Sequence, residues 1–465
     1  MIAAAVAAYT AMVMRWFSAP RAPVAAAAGA PAQADADAAL ADARRAYREG
    51  LLDPRAHLRL SEALWRDGRP VDSFYVAYAA RRIFPDAALR RARAEVVLGA
   101  GGPAAEILKR LRGLTDPSLT VPILAEAARE YPDSLEGRRS FERLSQLAQG
   151  DENAAGGEAV RLARTALEQI MREQPRRPEA IAALAGADFR RGDADSARAL
   201  ARETLDAHPE NAGAARIMGM LALKNGDVPA AVRWLSAAWD GDPDDLYSAA
   251  KLAQIYDRRR GDPESALPYY MALYRQNPDY TDGVETAETR IREVLDARRE
   301  ALLRDVPVAR LGARFSLDDA SLRAQAALRA ASFKDPRWID ALGRLLNDDT
   351  ELVRRAADYA LFEIAKSEPD AVRARRDAWL GSDEPLTRLR ALNLFADLDG
   401  DKVLPALGDA LRDPDPGVRA YAKVMVLDHY FARDPAAAAL RARYRAEEKD
   451  PAALAFERRF EEAPR

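Results

Sequence analysis

The chain has 465 residues, room for about three ordinary domains or for one elongated array. Its Lys+Arg total of 70 against 73 Asp+Glu leaves a formal charge of -3, which argues against a surface built throughout for nucleic acid. With no Cys and 31% charged residues, disulfides, thiolate metal sites, cysteine nucleophiles and an integral bundle of membrane helices are all excluded.

Arginine far outnumbers lysine and alanine is abundant, the bias a GC-rich bacterial genome produces. Imidazole is confined to His57, His208 and His429. Residues 2–14 form an apolar run, followed by Arg15, Trp16 and Phe17 and then by a Pro/Ala stretch that reads as an extended tether. The run is shorter than the roughly 20 residues of a membrane span. It has the length of a signal-peptide core, and Ala32-Gln33-Ala34 fits a cleavage pattern, but no basic residue precedes it. Residues 1–34 therefore keep three readings: an exported leader, the end of a membrane anchor, or a disordered tail on a cytoplasmic protein.

Beyond residue 35 the pattern is helical. Residues 35–50 read as a helix docked on a hairpin over 54–85, where Leu60, Ser61, Leu64, Gly68 and Ser73 precede a stop at Pro85. Gly99, Gly101 and Ala104 match dinucleotide-loop spacing, with Asp116 further on. The residues before them are helical rather than strand-like, so they read as an inter-helix turn. Residues 138–175 carry Phe141, Leu144, Ser145 and Ala148 on a first helix, then an insertion, then a second helix from about 158.

The clearest periodicity follows. Pro175, Pro209 and Pro243 are evenly spaced and Pro278 comes one residue late; Gly192, Gly226 and Gly261 track them, as do Ala197, Ala231 and Ala266. Each unit reads as helix, Gly-Asp turn, helix, Pro stop. Glycine relieves the turn, a small alanine lets two helices cross closely, and proline cannot continue the second helix. This pattern resembles the tetratricopeptide repeat (TPR) family, whose apolar and small positions stand here as Leu184-Ala185, Met218-Gly219 and Leu252-Ala253, with Tyr256 in the third unit. Asp188 departs from the family's bulky residue, with Phe189 beside it. The hairpin at 54–85 fits the same template. Residues 35–305 are thus read as one TPR-like solenoid, capped by the amphipathic stretch 284–304.

From 306 the repeat changes. Arg323, Arg354, Arg388 and Arg419 recur, each with alanine three residues later (Ala326, Ala357, Ala391, Ala422). Asp319, Glu384 and Asp415 sit four residues before their arginines; Thr350 breaks that rule, beside Asp348 and Asp349. This resembles the HEAT repeat family, which implies that the arginines bind turn carboxylates and carbonyls of adjacent units. The fold class is therefore all-α: TPR-like helical hairpins followed, over 306–465, by HEAT-like hairpins and a C-terminal cap around Phe456 and Phe460. Helices of about 12–15 residues are marginal alone, so each hairpin borrows its dry surface from its neighbours.

No catalytic, metal or cofactor constellation emerges. His208 sits at a helix end, and His429 beside Asp428 lacks a nearby nucleophile; the DGDPDD run lacks the order of a calcium loop and reads as a turn. The TPR resemblance places a partner-binding groove on Phe189, Arg190, Arg216, Ile217, Met220, Leu223, Lys224, Lys251, Gln254 and Arg258, with Trp65 and Arg66 equivalent in the early unit. Apolar groups mixed with Arg and Lys suit a protein or peptide partner carrying acidic groups. The family's C-terminal-carboxylate clamp uses Lys and Asn where Ala182 and Gly186 stand, a departure from that mode. The expected function is a non-catalytic scaffold or adaptor. An envelope-tethered assembly factor and a HEAT-type nucleic-acid-binding or modifying protein stay as alternatives, with membrane contact only through the N-terminal segment.

Overall fold

The structure, a computed structural model, describes residues 30–96, 107, 110–111, 114, 116–131, 135–148, 157–174, 177–281, 283–303 and 311–461. The apolar run, most of the tether and the Gly99–Ala104 spacing lie outside them. Among the described residues all regular structure is helical, apart from one isolated bridge between Thr281 and Thr286, and no helix is long and apolar enough to cross a membrane.

The first group comprises α1 (Ala30–Glu49), α2 (Pro54–Arg66), α3 (Pro70–Ile83) and α4 (Asp86–Val96). Residues 30–34, expected to be extended, instead begin α1. The central array follows as α5 (Pro117–Glu130), α6 (Leu135–Leu147), α7 (Gly157–Glu173), α8 (Pro178–Arg191), α9 (Ala194–Ala207), α10 (Ala212–Lys224), α11 (Val228–Gly241), α12 (Leu246–Gln254), α13 (Pro263–Gln276) and α14 (Ala287–Leu303). Several starts share one device. Asp53, Asp116 and Asp262 cap α2, α5 and α13 with a carboxylate on a first-turn N–H, and proline fills the first helical position.

The repeat chemistry is visible in the hairpins. Gly192 adopts φ 94° between α8 and α9, a left-handed value that a Cβ would strain. Ala197, Ala231 and Ala266 are fully buried where paired helices cross. At the α10–α11 crossing, a Cβ on Gly219 would lie 2.7 Å from the Leu235 side chain. The extra residue of the third unit is absorbed as a π-helical turn, Ile255–Arg259, continuing α12. The closing bond lengthens with it: Asp193 N–H donates to Asp188 O and Asp227 N–H to Ala222 O, whereas Asp262 N–H reaches Tyr256 O.

The C-terminal array is built on α15 (Ala320–Phe333), α16 (Glu351–Ala365), α17 (Pro385–Asp399) and α18 (Pro416–Tyr421, continued by a π-helical stretch Ala422–Leu427), alternating with shorter helices and closed by α19 (Ala438–Glu447) and α20 (Pro451–Glu461). Its recurrent arginines couple successive turns. Arg323 forks onto Asp348 (2.8 and 2.9 Å), Arg388 onto Asp413 (3.1 and 2.6 Å), and Arg419 onto Glu448 (2.7 and 3.1 Å). Arg354 differs. The position equivalent to those aspartates holds Trp379, so Arg354 bonds Glu351 in its own helix and donates to the Tyr47 hydroxyl of α1 (3.2 Å).

That last contact shows where the first group sits. Rather than stacking on α5, α3 packs against α13, α15 and α16, and one apolar core runs through Phe74, Tyr274, Ile291, Leu361 and Phe395. A second cluster joins Leu40, Tyr47, Leu51 and Leu60 to Leu386, Leu389 and Val418. Charges seal the seam: Arg44 to Asp349 (2.7 Å), Arg323 to the fully buried Asp72 (3.2 Å), and Arg81 to Asp279 (2.9 Å). The first hairpin thus bridges the end of the central array and one face of the C-terminal array.

Candidate functional site

In the central array the first turns of α8, α10 and α12 converge on one face of α6. Each start is fixed locally: Pro178 occupies the first position of α8, Asn211 caps α10 by accepting from Ala214 N–H (2.8 Å), and Asp245 caps α12 by accepting from Tyr247 N–H (3.1 Å). Between them lies a cavity of about 590 Å³, lined by Arg138, Arg139, Glu142, Ser145, Glu179, Ala182, Glu210, Arg216, Asp242, Asp244, Asp245, Tyr247 and Gln276, among others. Its size falls in the range of ligand and peptide-anchor pockets.

Its electrostatics are acidic. Glu142, Glu179, Glu210, Asp242, Asp244 and Asp245 face three arginines, and those arginines are engaged. Arg216 donates to Glu142 (3.2 Å) and Asp245 (3.3 Å), Arg139 to Gln276 (3.0 Å), and Arg138 lies 3.7 Å from Asp242. Burial opposes the charge of Arg216, yet Asp245 and Glu142 hold its affinity for the proton above the ordinary value. Burial pushes Asp242 above the usual carboxylate range, with Arg138 opposing it. A desolvated carboxylate of this kind favours an incoming cation. Asp244 is anchored from behind by Arg275, which also donates to Glu62 of α2 (2.8 Å) and lies over the Trp65 ring.

Of the groove residues expected from sequence, only Arg216 lines this cavity. Arg190 borders it, donating to Ser145 (2.8 Å), with burial and then Arg216 lowering its pKa. Ile217 and Met220 are buried with Ala182, Ala201 and Leu221 and serve helix packing. Leu223 packs with Leu235 and Leu252. Lys224 lies over the Phe189 ring (5.8 Å), Lys251 over Tyr247 (5.7 Å) and near Gln254 (3.4 Å), and Arg258 is exposed on the π-helical turn. The expected groove sat on the last turns of the first helices; the concavity sits on their first turns. Trp65, expected in an equivalent groove, is covered by Arg275, and Arg66 donates to Glu62 (3.1 Å).

The residues that sequence reasoning missed are the turn carboxylates. DGDPDD was read as a closing turn, and Asp242 and Asp245 do accept backbone N–H groups there. The same residues wall the cavity, a dual role that the one-dimensional spacing does not distinguish. Among the described residues no group of His, Asp and Glu is arranged to hold a metal. Asp116 caps α5, and Asp428 pairs with Lys423.

A tetratricopeptide repeat model matches residues 188–255, spanning the end of α8 through α12. The central array carries TPR units over that span. These repeats generally mediate protein–protein interaction, and the TPR array here holds the larger of the two cavities described for this molecule. No curated protein matches the chain.

Proposed function

We propose that this chain is a non-catalytic adaptor that captures a protein segment in the cavity of its TPR array. The single observation that carries the reading is the charge of that cavity: six carboxylates around three arginines that already have partners. The partner therefore presents Lys or Arg side chains rather than the acidic groups suggested by the cations at the helix ends. The wall of packed helix starts is rigid, so docking spends little entropy on ordering the receptor. The C-terminal array is read as HEAT-like, supported by the arginine forks of Arg323, Arg388 and Arg419, and serves as the platform on which the first hairpin is clamped.

The test uses the full chain with Glu179→Lys and Glu210→Lys together, both side chains reaching the cavity without a buried ion pair. Affinity capture from the native cell, read by mass spectrometry, is expected to lose its specific partner with an unchanged melting temperature. A partner retained at wild-type level on the folded double variant removes the cavity assignment.

A further inference from the structure

A second cavity, of about 310 Å³, lies where α1–α3 close over the C-terminal array. One wall is apolar, with Leu51, Leu386, Leu389 and Met425. The charged part of the lining is cationic: Arg82, Arg354, Arg355 and Arg390 against Glu351 alone. This is where the arginine ladder departs from its rule, since Arg354 finds no carboxylate in the next turn and is turned toward the hairpin.

Glu351 accepts from Arg354 (3.0 Å), Arg355 (2.8 Å) and Arg390, so one carboxylate serves three guanidiniums. Asp358 lies 3.7 Å behind Arg390. Arg82 and Arg355 are exposed at the rim, and Arg355 spends only its Nε proton on Glu351. The lining also holds buried acceptors with nothing to accept. His57 donates Nε2–H to the Leu51 carbonyl (2.9 Å), which leaves Nδ1 as a lone-pair acceptor, and that atom is buried without a hydrogen-bond partner, as is Asn393 Oδ1. His57 is 2% exposed. Buried unsatisfied acceptors are costly, and a native structure keeps few of them without a use.

We propose that this cavity binds a small amphipathic carboxylate carrying an N–H or O–H donor, an N-acyl amino acid being the simplest member of the class. The carboxylate meets the guanidiniums in the fork geometry that arginine favours. The apolar body lies on Leu386, Leu389 and Met425, and the donor is directed at the His57 and Asn393 side of the lining. The chemistry is shared by a free acyl amino acid and by the last residue of a peptide.

The experiment is isothermal titration calorimetry on the full chain with N-acetylleucine, its neutral amide, octanoate, and a hexapeptide ending in leucine. N-acetylleucine is expected to bind about tenfold or more tightly than the amide, the fold-change of one charge-assisted hydrogen bond. It is also expected to bind more tightly than octanoate, which lacks the donor. A hexapeptide that binds as well as N-acetylleucine makes the source a chain terminus; one that fails makes it a free small molecule. Met425→Trp, which fills the cavity, is expected to abolish binding. The exposed pair Arg82→Gln and Arg355→Gln, which leaves the packing intact, is expected to weaken it at least several-fold. Equal affinity for acid and amide, binding by none of the probes, or full binding by the folded Met425→Trp chain overturns the proposal.

Discussion

The two arrays solve the same stacking problem by different means. In the TPR units register is written in the backbone: left-handed Gly192, Gly226 and Gly261 in the turns, Pro209, Pro243 and Pro278 after the second helices, and buried alanines at the crossings. In the C-terminal array it is written in side chains, as arginine forks from one turn to the next. The consequence is functional. Backbone devices leave the side chains of the helix starts free to line an open cavity. Arginine forks commit one face of the array to buried charge, and whatever covers that face must supply compensating groups, as α1 and α3 do with Tyr47 and Asp72.

The largest expected effect tests that commitment. Arg323→Met leaves Asp348 without its cation and the fully buried Asp72 with Arg69 alone, and removing one partner of a buried pair costs about 3–5 kcal/mol. Arg388→Met orphans only Asp413, at a partly exposed site, and costs about 1–2 kcal/mol. Urea midpoints measure both. Equal losses would mean that the first hairpin is not held through Asp72. On the TPR side, Met220→Ala should cost about 2–5 kcal/mol, the range for a buried methionine in a packed core, while Lys224→Ala stays within about 0.5 kcal/mol. A neutral Met220→Ala that weakens partner capture would return Met220 to the binding surface.

Those contrasts explain what was legible in the sequence. The TPR hairpins were readable because Gly192, Gly226, Gly261 and the prolines act within their own unit, so spacing alone exposes them. Arg323 and Arg388 were readable as a ladder because their partners recur one turn further on. The placement of α1–α3 was not: Arg44 meets Asp349 and Arg81 meets Asp279 across hundreds of residues, and no local pattern encodes which distant face an amphipathic hairpin covers. The cavity of the central array was not legible for a related reason. Family resemblance fixed which helices face inward, but the depth of the concavity depends on how α6 meets α8, α10 and α12, and no local spacing encodes that meeting.

The covered face also contains an opposed pair of titrations. Burial raises Asp358 to about 7, with Arg390 opposing and Asp397 and Glu351 assisting, and burial lowers His57 to about 4. Between about pH 4 and 7 the unfolded chain has lost the Asp358 proton while the folded chain keeps it, so this group makes stability fall as pH rises. His57 acts in reverse: from about pH 4 to 6.5 the unfolded chain binds a proton that the folded chain refuses, so stability rises with pH. The wild type should therefore show a shallow profile. Asp358→Asn should unmask a rise on the order of 2 kcal/mol across pH 4–6.5, measured by urea unfolding. A profile that stays flat in Asp358→Asn would show that His57 does not titrate as its burial dictates.

The smallest effect separates the arrays at a single turn. Gly192 ends α8 at φ 94°, while the equivalent turn after α15 is made by Lys334 at φ 51°. A side chain in the left-handed region costs roughly 1–2 kcal/mol. Gly192→Ala should therefore lose about 1 kcal/mol or slightly more. Lys334→Gly removes that strain but gives the unfolded chain more freedom, so its gain is held below about 1 kcal/mol. Opposite signs in the two thermal midpoints would follow if the TPR turn is shaped by backbone preference and the C-terminal turn by the helices packed around it. Losses at both positions would mean that the Lys334 side chain contributes to that turn more than its backbone costs.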